Sequence, residues 1–341
     1  MTAADAQARL AAFLSESARS PLRIEAFRIL PGGAIQENWL LDISVDKGKW
    51  RGRHELVLRH DAPTAVAASH GRAREYRLLE AAHKAGVTVP APFLVCGDAS
   101  VLGGPFFIMR RVTGEAAGHR LTKRPADPAL AARLGQELAR IHAITPDTPA
   151  AKSLSFLPLL QEAPSLARIA LYRRWLDSLQ APRPALEWGL RRLELTAPAK
   201  SEIVLCHRDF RTGNYMVEDG AKGGALTGIL DWEFAAWGEP EEDIGWFCAR
   251  CWRFAARERE AGGIADRQPF YDAYEEATGR RINAARVAWW ETMAHVRWAV
   301  IGCQQAERYT VGGEQSLELA LTAHVVPELE LEVLRLTGEV A

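Results

Sequence analysis

The sequence predicts an α+β protein of two parts, a small strand-rich N-terminal part and a larger helical C-terminal part. Residues 22–112 hold about five segments with the alternating apolar pattern of strands and one long helical pattern. Beyond Gly114 most segments repeat with the period of a helix, and only a few short strands interrupt them. The 341 residues suffice for two packed regions, and no low-complexity linker separates them.

The composition indicates a globular protein and argues against several functional classes. Hydrophobic residues make up 48% of the chain and charged residues 25%, with a formal net charge of -1. Such a chain lacks the basic surplus typical of nucleic-acid-binding proteins. Its apolar runs stay short of the roughly 18 residues that span a bilayer, and residues 1–20 suggest an amphipathic helix rather than a signal peptide. We therefore expect a cytoplasmic protein without a membrane segment or a nucleic-acid partner.

The cysteines suggest reduced thiols. There are five of them, an odd number for a chain of this size. Cys248 and Cys251 form a C-x-x-C pair in an aromatic stretch, but neither a second such pair nor a His pair completes a zinc site. We interpret both as buried core thiols, with a redox or zinc role as the alternative.

The strand-rich part follows from its apolar alternation and its turn residues. A polar turn at 46–53 separates two of its strands, and Gly86, with Pro90 and Pro92 beyond it, ends its long helix. The predicted elements are strands at 22–30, 38–45, 54–60, 93–98 and 106–112 and a helix at 62–86.

The helical part begins with a helix for which Asp127 is the expected N-cap. From about Asp243 onward the whole pattern is helical and rich in tryptophan. The predicted elements are helices at 125–144, 165–179, 185–196, 284–308 and 315–336 and short strands at 203–206, 214–217 and 226–232.

One polar turn lies between two of the short strands, in the stretch VLCHRDFRTGNYMV at 204–217. Asp209 and Asn214 stand five residues apart in it. A carboxylate there can orient or deprotonate a hydroxyl nucleophile, and an amide oxygen can bind magnesium. Asp231, in GILDWE, ends an apolar strand. A strand-end Asp beside an Asn oxygen is typical of a magnesium site that uses few protein ligands and several phosphate oxygens.

This pattern of His, Asp, four residues, Asn and a later Asp resembles the aminoglycoside phosphotransferase and choline kinase-like family. The family usually has His-Gly-Asp in the loop, whereas Arg208 stands at the Gly position here. The stretch 232–246 extends the resemblance, which is strongest to the branch with kinase-like domains linked to acyl-CoA dehydrogenases. It implies a bilobal, protein-kinase-like fold with a nucleotide-binding lobe at 1–113. The helical lobe at 114–341 would carry the catalytic and metal-binding loops.

The resemblance also places the nucleotide. Gly32 and Gly33 correspond to the nucleotide loop, where glycine lets backbone amides approach phosphates. An ordinary hairpin is the alternative for these two residues. Arg59 stands where kinases carry the phosphate-pairing lysine and can bridge phosphate oxygens. Glu75, on the following helix, is its expected partner.

The expected adenine site is the strand that leads into the hinge between the lobes. Met109 would lie against the base, although a core position suits Met109 equally. Backbone groups from Arg110 to Val112 would hydrogen-bond its edge.

The remaining polar residues of the loop receive roles from the same resemblance. Arg211 stands where protein kinases have a lysine near the transferred phosphate, and a surface ion pair is the alternative. His207 and Arg208 are expected to brace the loop and Asp243 to orient it. His142 is expected to be a core histidine.

Together these residues predict an enzyme that phosphorylates a hydroxyl group of a small molecule, using ATP, or alternatively GTP, and Mg²⁺. The candidate acceptors are a hydroxyacyl compound and an aminoglycoside-like sugar, and choline-like or homoserine-like acceptors also stay open. We expect aromatic residues near Trp246, Trp252 or 289–298 beside Asp209, with most of the tryptophans in the core. The alternative is a catalytically silent nucleotide-binding module, although decayed kinases typically lose residues such as Asp209 or Asp231.

Overall fold

The structure is a computed structural model of the chain. It divides into two compact units. Unit 1 comprises residues 1–115, 147–156 and 215–235, and unit 2 comprises residues 116–146, 157–214 and 236–341. The described residues are 3–30, 36–61, 69–159, 161–199, 201–220, 223–314 and 316–340.

Unit 1 is built on a five-stranded antiparallel sheet with the strand order β1-β2-β3-β5-β4. Its apolar face is covered by the N-terminal helix, so Leu10 and Leu14 pack with Leu41, Leu56 and other strand residues. All five predicted strands are present. The bounds are α1 Ala3–Ala18, β1 Leu22–Ile29, β2 Gln36–Val45, β3 Gly52–Asp61, α2 Arg72–Lys84, β4 Pro92–Cys96, α3 Ala99–Leu102 and β5 Phe106–Arg110.

The long helix of unit 1, α2, is shorter than predicted. It begins after Gly71, and the expected start at 62 lies outside the described residues. It ends at Lys84, where Gly86 with a φ of 79° provides the left-handed turn. One helical turn, α3, replaces a predicted loop because the Asp98 side chain caps the backbone N–H of Ser100.

A hairpin from the middle of the chain also belongs to unit 1. It consists of β7 (Tyr215–Gly220) and β8 (Gly223–Ile229). The Ile229 N–H donates to the Thr88 carbonyl over 2.8 Å, and Val217 pairs with Glu115. Asp231, which follows β8, is therefore held by the unit that contains the five-stranded sheet.

Unit 2 is mainly helical and packs around its longest helix, α10. The Asp127 side chain accepts a hydrogen bond from the Leu130 N–H, which confirms the predicted N-cap. The bounds are α4 Gly118–Leu121, α5 Pro128–His142, α6 Pro164–Ser178, α7 Pro184–Leu195, β6 Val204–Cys206, β9 Ala236–Gly238, α8 Pro240–Cys248, α9 Arg267–Thr278, α10 Ala284–Thr310, α11 Leu317–Leu321 and α12 Val326–Leu336.

Unit 2 differs from the prediction in three places. Strand β9 was missed because three residues are too few to show an alternating pattern; it pairs with β6. The region after Asp243 is not helical throughout, since a 3-10 turn and loop segments occupy 249–266. The predicted closing helix at 315–336 is interrupted by a 3-10 turn before α12, which begins with Pro327 in its first turn.

The described helices include none that is both long enough and apolar enough to cross a bilayer. All five cysteines are free thiols. Cys248 is buried and Cys251 half-buried, and burial raises the pKa of both thiols well above its usual value. Both observations agree with the interpretation of the C-x-x-C pair as core thiols.

Candidate active site

The loop between β6 and β7 is held by a buried carboxylate. The Asp243 side chain accepts hydrogen bonds from the backbone N–H groups of His207 and Arg208, each over 2.7 Å. Arg208 has a φ of 63°, a left-handed conformation that costs energy for a residue with a side chain. Asp243 therefore stabilises a strained loop, the orienting position expected from the sequence.

Within this loop, Asn214 holds Asp209. The Asn214 Nδ2 donates to the backbone carbonyl of Asp209 over 2.9 Å and to its Oδ2 over 2.6 Å. Both partners are acceptors, so the amide nitrogen must face Asp209 and the amide oxygen points away from it. The amide oxygen therefore takes no part in the bond to Asp209, and the metal role expected for Asn214 stays a prediction.

The other oxygen of Asp209 has two different donors. The Trp246 indole Nε1 donates to Oδ1 over 3.0 Å, and the Arg211 Nε donates to the same atom over 3.1 Å. The Arg211 guanidinium also lies 4.4 Å from the centre of the Trp252 ring. The sequence suggested Trp246 only as part of an aromatic wall, and no spacing signal pointed to its bond with Asp209.

Two histidines support the loop from within the core of unit 2. The His207 Nδ1 accepts from the Asp209 backbone N–H over 3.2 Å. His142, which is fully buried, lies 3.2 Å from Asp243 Oδ2 and 2.8 Å from the Tyr274 hydroxyl. His142, Asp243 and Cys206 are close enough together to ligate a metal. The Cys206 thiol, however, already donates to a backbone carbonyl, so hydrogen bonds account for the cluster.

Arg208 and Arg168 share one buried carboxylate. The Glu242 Oε1 accepts from the Nε of Arg208 over 2.9 Å and from the Nε of Arg168 over 3.0 Å. Burial by itself would raise the pKa of Glu242, but the two guanidinium groups outweigh burial and hold this pKa at about 2. Glu242 thus remains charged and fixes the Arg208 side chain.

In unit 1, Arg59 on β3 is surrounded by carboxylates. Its Nε lies 3.0 Å from an oxygen of Glu75 on α2, so the expected ion pair is present. Its Nη2 contacts Asp231 directly and lies 3.7 Å from Glu233. Burial alone would lower the pKa of Arg59, but these three carboxylates raise it above its usual value.

A second arginine, which the sequence analysis did not single out, completes this charge cluster. Arg72 is 1% exposed and bonds Glu75, while its Nε lies 2.7 Å from Asp61 and its Nη2 lies 3.4 Å from Glu233. Burial raises the pKa of Glu75 to about 7, and the two neighbouring carboxylates add to the rise against the attraction of both arginines. The only available signal was position, because Arg72 lies one helical turn before Glu75.

The remaining nucleotide-site residues are placed less completely. Gly32 and Gly33 lie outside the described residues. Met109 and Arg110 end β5 and Val112 follows it, and all three are half-buried. The Arg110 N–H donates to the Ala91 carbonyl over 2.8 Å, and its side chain contacts His54. The adenine contact at these residues stays a prediction.

As expected, most of the tryptophans in the second half of the chain are buried, and one of them contacts Asp209. Trp246 lies directly at Asp209, and Trp252 stacks beneath Arg211. Six of the seven tryptophans that follow Asp231 are buried, namely Trp232, Trp237, Trp246, Trp252, Trp289 and Trp290.

Residues 26–280 match the family model of the phosphotransferase enzyme family. Among curated proteins, acyl-CoA dehydrogenase family member 11 of Pongo abelii is 26% identical over 303 residues, which are 82% of this chain and 37% of that protein. The chain thus spans less than two fifths of the length of the curated relatives it matches.

Two solved structures show the same fold. A candidate aminoglycoside phosphotransferase of Ralstonia eutropha superposes with a TM-score of 0.74 at 20% identity, covering 97% of both chains. The GDP complex of aminoglycoside 2'-phosphotransferase-IIIa superposes with a TM-score of 0.61 at 16% identity, covering 96% of this chain and 98% of that one. Both confirm the α+β, bilobal, protein-kinase-like fold class predicted from the sequence.

Proposed function

Because the chain belongs to the phosphotransferase enzyme family, we propose that it transfers the terminal phosphate of ATP to a hydroxyl group of a small molecule. The main observation that supports this proposal is the loop in which the Asn214 amide nitrogen donates hydrogen bonds to Asp209. In this proposal residues 1–113 bind the nucleotide and residues 114–341 supply the catalytic and metal-binding loops.

Asp209 is the proposed catalytic residue. Its Oδ1 is occupied by two donors, while its Oδ2 receives one hydrogen bond, from Asn214. A carboxylate oxygen has room for a further donor, so Oδ2 can accept the proton of an acceptor hydroxyl. Phosphoryl transfer needs mainly positioning and charge stabilisation, and a carboxylate fixed by three side chains meets the first need.

Asn214 and Asp231 are the proposed magnesium ligands. The Asn214 oxygen points away from Asp209, and hard oxygens are the ligands that magnesium prefers. Asp231 belongs to a cluster in which two arginines meet four carboxylates, Glu75, Asp231, Glu233 and Asp61. The surplus negative charge suits a divalent cation, which when bound would neutralise charge on the phosphates.

Arg59, positioned by Glu75, is the proposed phosphate-binding residue. A guanidinium can bridge two phosphate oxygens and is always charged. Gly32 and Gly33 are assigned to the loop over the phosphates, and Met109, Arg110 and Val112 to the adenine site. The GDP complex of a protein with the same fold supports nucleotide binding in general and leaves GTP as the alternative donor.

The charges around Asp209 favour an acceptor that is not a polycation. Two carboxylates that contact the loop are already engaged: Glu242 by two arginines and Asp243 by backbone N–H groups. An aminoglycoside-like acceptor would need several uncommitted carboxylates, since each unpaired cation is costly to desolvate. A hydroxyacyl compound, neutral or anionic near its hydroxyl, is the better match to arginines and tryptophans. Arg211, at the same loop, is proposed to stabilise charge on the transferred phosphate.

A phosphate-transfer assay with magnesium and labelled ATP tests the proposal. The acceptors are a set of hydroxyacyl thioesters and a set of kanamycin-like sugars, with Asp209→Asn as the matched inactive control. We expect transfer to a hydroxyacyl compound by the natural protein alone. Nucleotide binding without transfer to any acceptor would favour a catalytically silent nucleotide-binding module. Efficient transfer to kanamycin would contradict the acceptor assignment.

A further inference from the structure

The orientation of Asp209 is set by residues outside its loop. The Trp246 indole is buried, 3% exposed, and its N–H points at Oδ1 of Asp209 over 3.0 Å. Hydrogen bonds to a charged acceptor are shorter and stronger than those between neutral groups. We infer that Trp246 is a positioning residue that holds the Asp209 carboxylate in a single orientation. The inference rests on the proposed function and adds to it a residue outside the loop pattern.

Trp246 is itself held by contacts to its ring. The Arg297 guanidinium lies 4.1 Å from the ring centre, a cation–π distance. Trp252 packs against Trp246 with 5.0 Å between ring centres and an angle of 54°, and Trp298 packs against Trp252 at 4.9 Å. These contacts leave the indole little freedom to rotate away from Asp209.

The helix that carries Trp246 approaches α10 closely. A Cβ atom at Gly245 would lie 2.6 Å from the Cβ of Trp290 and 2.8 Å from the carbonyl carbon of the same residue. Glycine is therefore needed for this approach. Since Arg297 also belongs to α10, this packing fixes the distance between Trp246 and the arginine that stacks on it.

Arg297 is costly to bury and has no ion pair among the described residues. It is 9% exposed, and burial lowers its pKa; Arg208 adds to this effect, while Tyr172, Asp209 and Glu242 oppose it. Its Nη1 donates to the backbone carbonyl of Arg208, the residue in the left-handed conformation beside Asp209. One guanidinium thus holds both the loop backbone and the ring that donates to the catalytic carboxylate. A buried charge of this kind is retained only where other interactions offset its cost.

The two carboxylate oxygens of Asp209 therefore have different roles: Oδ1 is held in place, and Oδ2 is available to the acceptor hydroxyl. Trp246 and Arg211 occupy Oδ1, and Asn214 contacts Oδ2 from the loop. Loss of the indole N–H leaves Oδ1 with Arg211, whose Nε bond is 3.1 Å long and whose side chain is partly exposed. The carboxylate can then rotate, and the geometry of attack on the phosphate is lost more than nucleotide binding is.

The first test detects the contact independently of activity. The indole N–H signal of Trp246 is identified in the ¹⁵N–¹H spectrum by its disappearance in Trp246→Phe. In Asp209→Asn, where Trp246 and the fold are retained, this signal should move because its charged acceptor is gone. The indole signal of Trp289, which donates to the Leu193 carbonyl over 3.0 Å, should stay in place. An unchanged Trp246 signal would overturn the inference whether or not the protein transfers phosphate.

The second test is kinetic. Trp246→Phe keeps a ring but removes the donor, and we expect kcat for phosphate transfer to fall roughly 10–100-fold while KM for ATP changes little. The matched control is Trp289→Phe, which loses an indole hydrogen bond of the same length away from Asp209 and should retain kcat. Full kcat in Trp246→Phe would overturn the inference. A shifted indole signal in a protein that transfers no phosphate would instead overturn the proposed function while supporting the contact.

Discussion

Two buried glutamates, one in each unit, have opposite pKa shifts for a single physical reason. Glu75 competes with three other carboxylates for Arg59 and Arg72, and its pKa rises to about 7. Glu242 forms ion pairs with both Arg168 and Arg208, and its pKa falls to about 2. Burial acts on both in the same direction. The difference shows that the ratio of carboxylates to guanidinium groups decides the sign of the shift.

The ratio of carboxylates to arginines also differs between the cluster around Arg59 and the surroundings of Asp209, and with it the charge of the ligand that each is suited to bind. The cluster around Arg59 has more carboxylates than arginines and suits a cation. The surroundings of Asp209 are richer in arginine: Arg297 forms no ion pair within about 4 Å among the described residues, although Asp209 and Glu242 attract it at longer range. The two regions therefore fit the metal and the acceptor, respectively, of the proposed reaction.

The largest effect is expected from the loop. Asp209→Asn should lower kcat for phosphate transfer by roughly 10²–10⁴-fold, because it removes the group that orients the hydroxyl. Affinity for magnesium-ATP, measured by calorimetry, should stay within about twofold of the natural protein. A variant with full turnover would show that Asp209 does not act on the acceptor.

The opposite pKa shifts predict opposite effects of pH on stability. The pKa of Glu75 rises from 4.5 to about 7, so folded Glu75 binds its proton more tightly than the unfolded chain does. Its contribution is present below about pH 4.5 and is lost as the pH rises to about 7. The pKa changes of Glu75, from 4.5 to about 7, and of Glu242, from 4.5 to about 2, each correspond to a free-energy change on the order of 3 kcal/mol. Glu75→Gln should flatten the pH dependence of the free energy of unfolding in this window.

Glu242→Gln is the matched comparison. The pKa of Glu242 falls from 4.5 to about 2, so its contribution is present above about pH 4.5 and is lost as the pH falls toward 2. Urea unfolding of the free proteins between about pH 2 and pH 8 measures both windows. If the two variants change the same pH window, the ratio of charges does not explain the two shifts.

Asp231→Asn tests the metal assignment. Loss of a ligand should weaken magnesium-ATP binding by at least about 10–100-fold, the range seen when groups supporting a metal are removed. Asp209→Asn serves as the control, because it alters the other unit and should bind normally. Equal binding by the two variants would contradict the role proposed for Asp231.

The smallest expected effect is the coupling between Arg59 and Glu75. A double-mutant cycle with Arg59→Ala and Glu75→Ala, measured as ATP affinity, should give a coupling of about 0.5–3 kcal/mol. The control cycle pairs Arg59→Ala with Glu80→Ala, since Glu80 lies on the same helix but is oriented toward Lys84 at 3.9 Å. Strictly additive losses in the first cycle would mean that Glu75 does not position Arg59.

Much of the fold could be predicted because its signals are local. Strand alternation predicted all five strands of the sheet, and an N-cap aspartate predicted the start of α5. Elements were missed where the signal was too short or was broken, as in the three-residue β9 and at Pro327. Local patterns also identified the loop of Asp209 and Asn214, since both residues lie within one turn.

The sequence by itself determined which residue types stand at Arg59, Glu75, Asp209, Asn214 and Asp231, and in which order. Only the tertiary structure decided the partners that lie far away along the chain. Arg59 and Asp231 are separated by 172 residues, and Asp209 and its indole donor by 37. It also decided that one buried glutamate has a raised pKa and the other a lowered one. Such a shift depends on how many charges share the same buried volume, and no spacing pattern encodes that number.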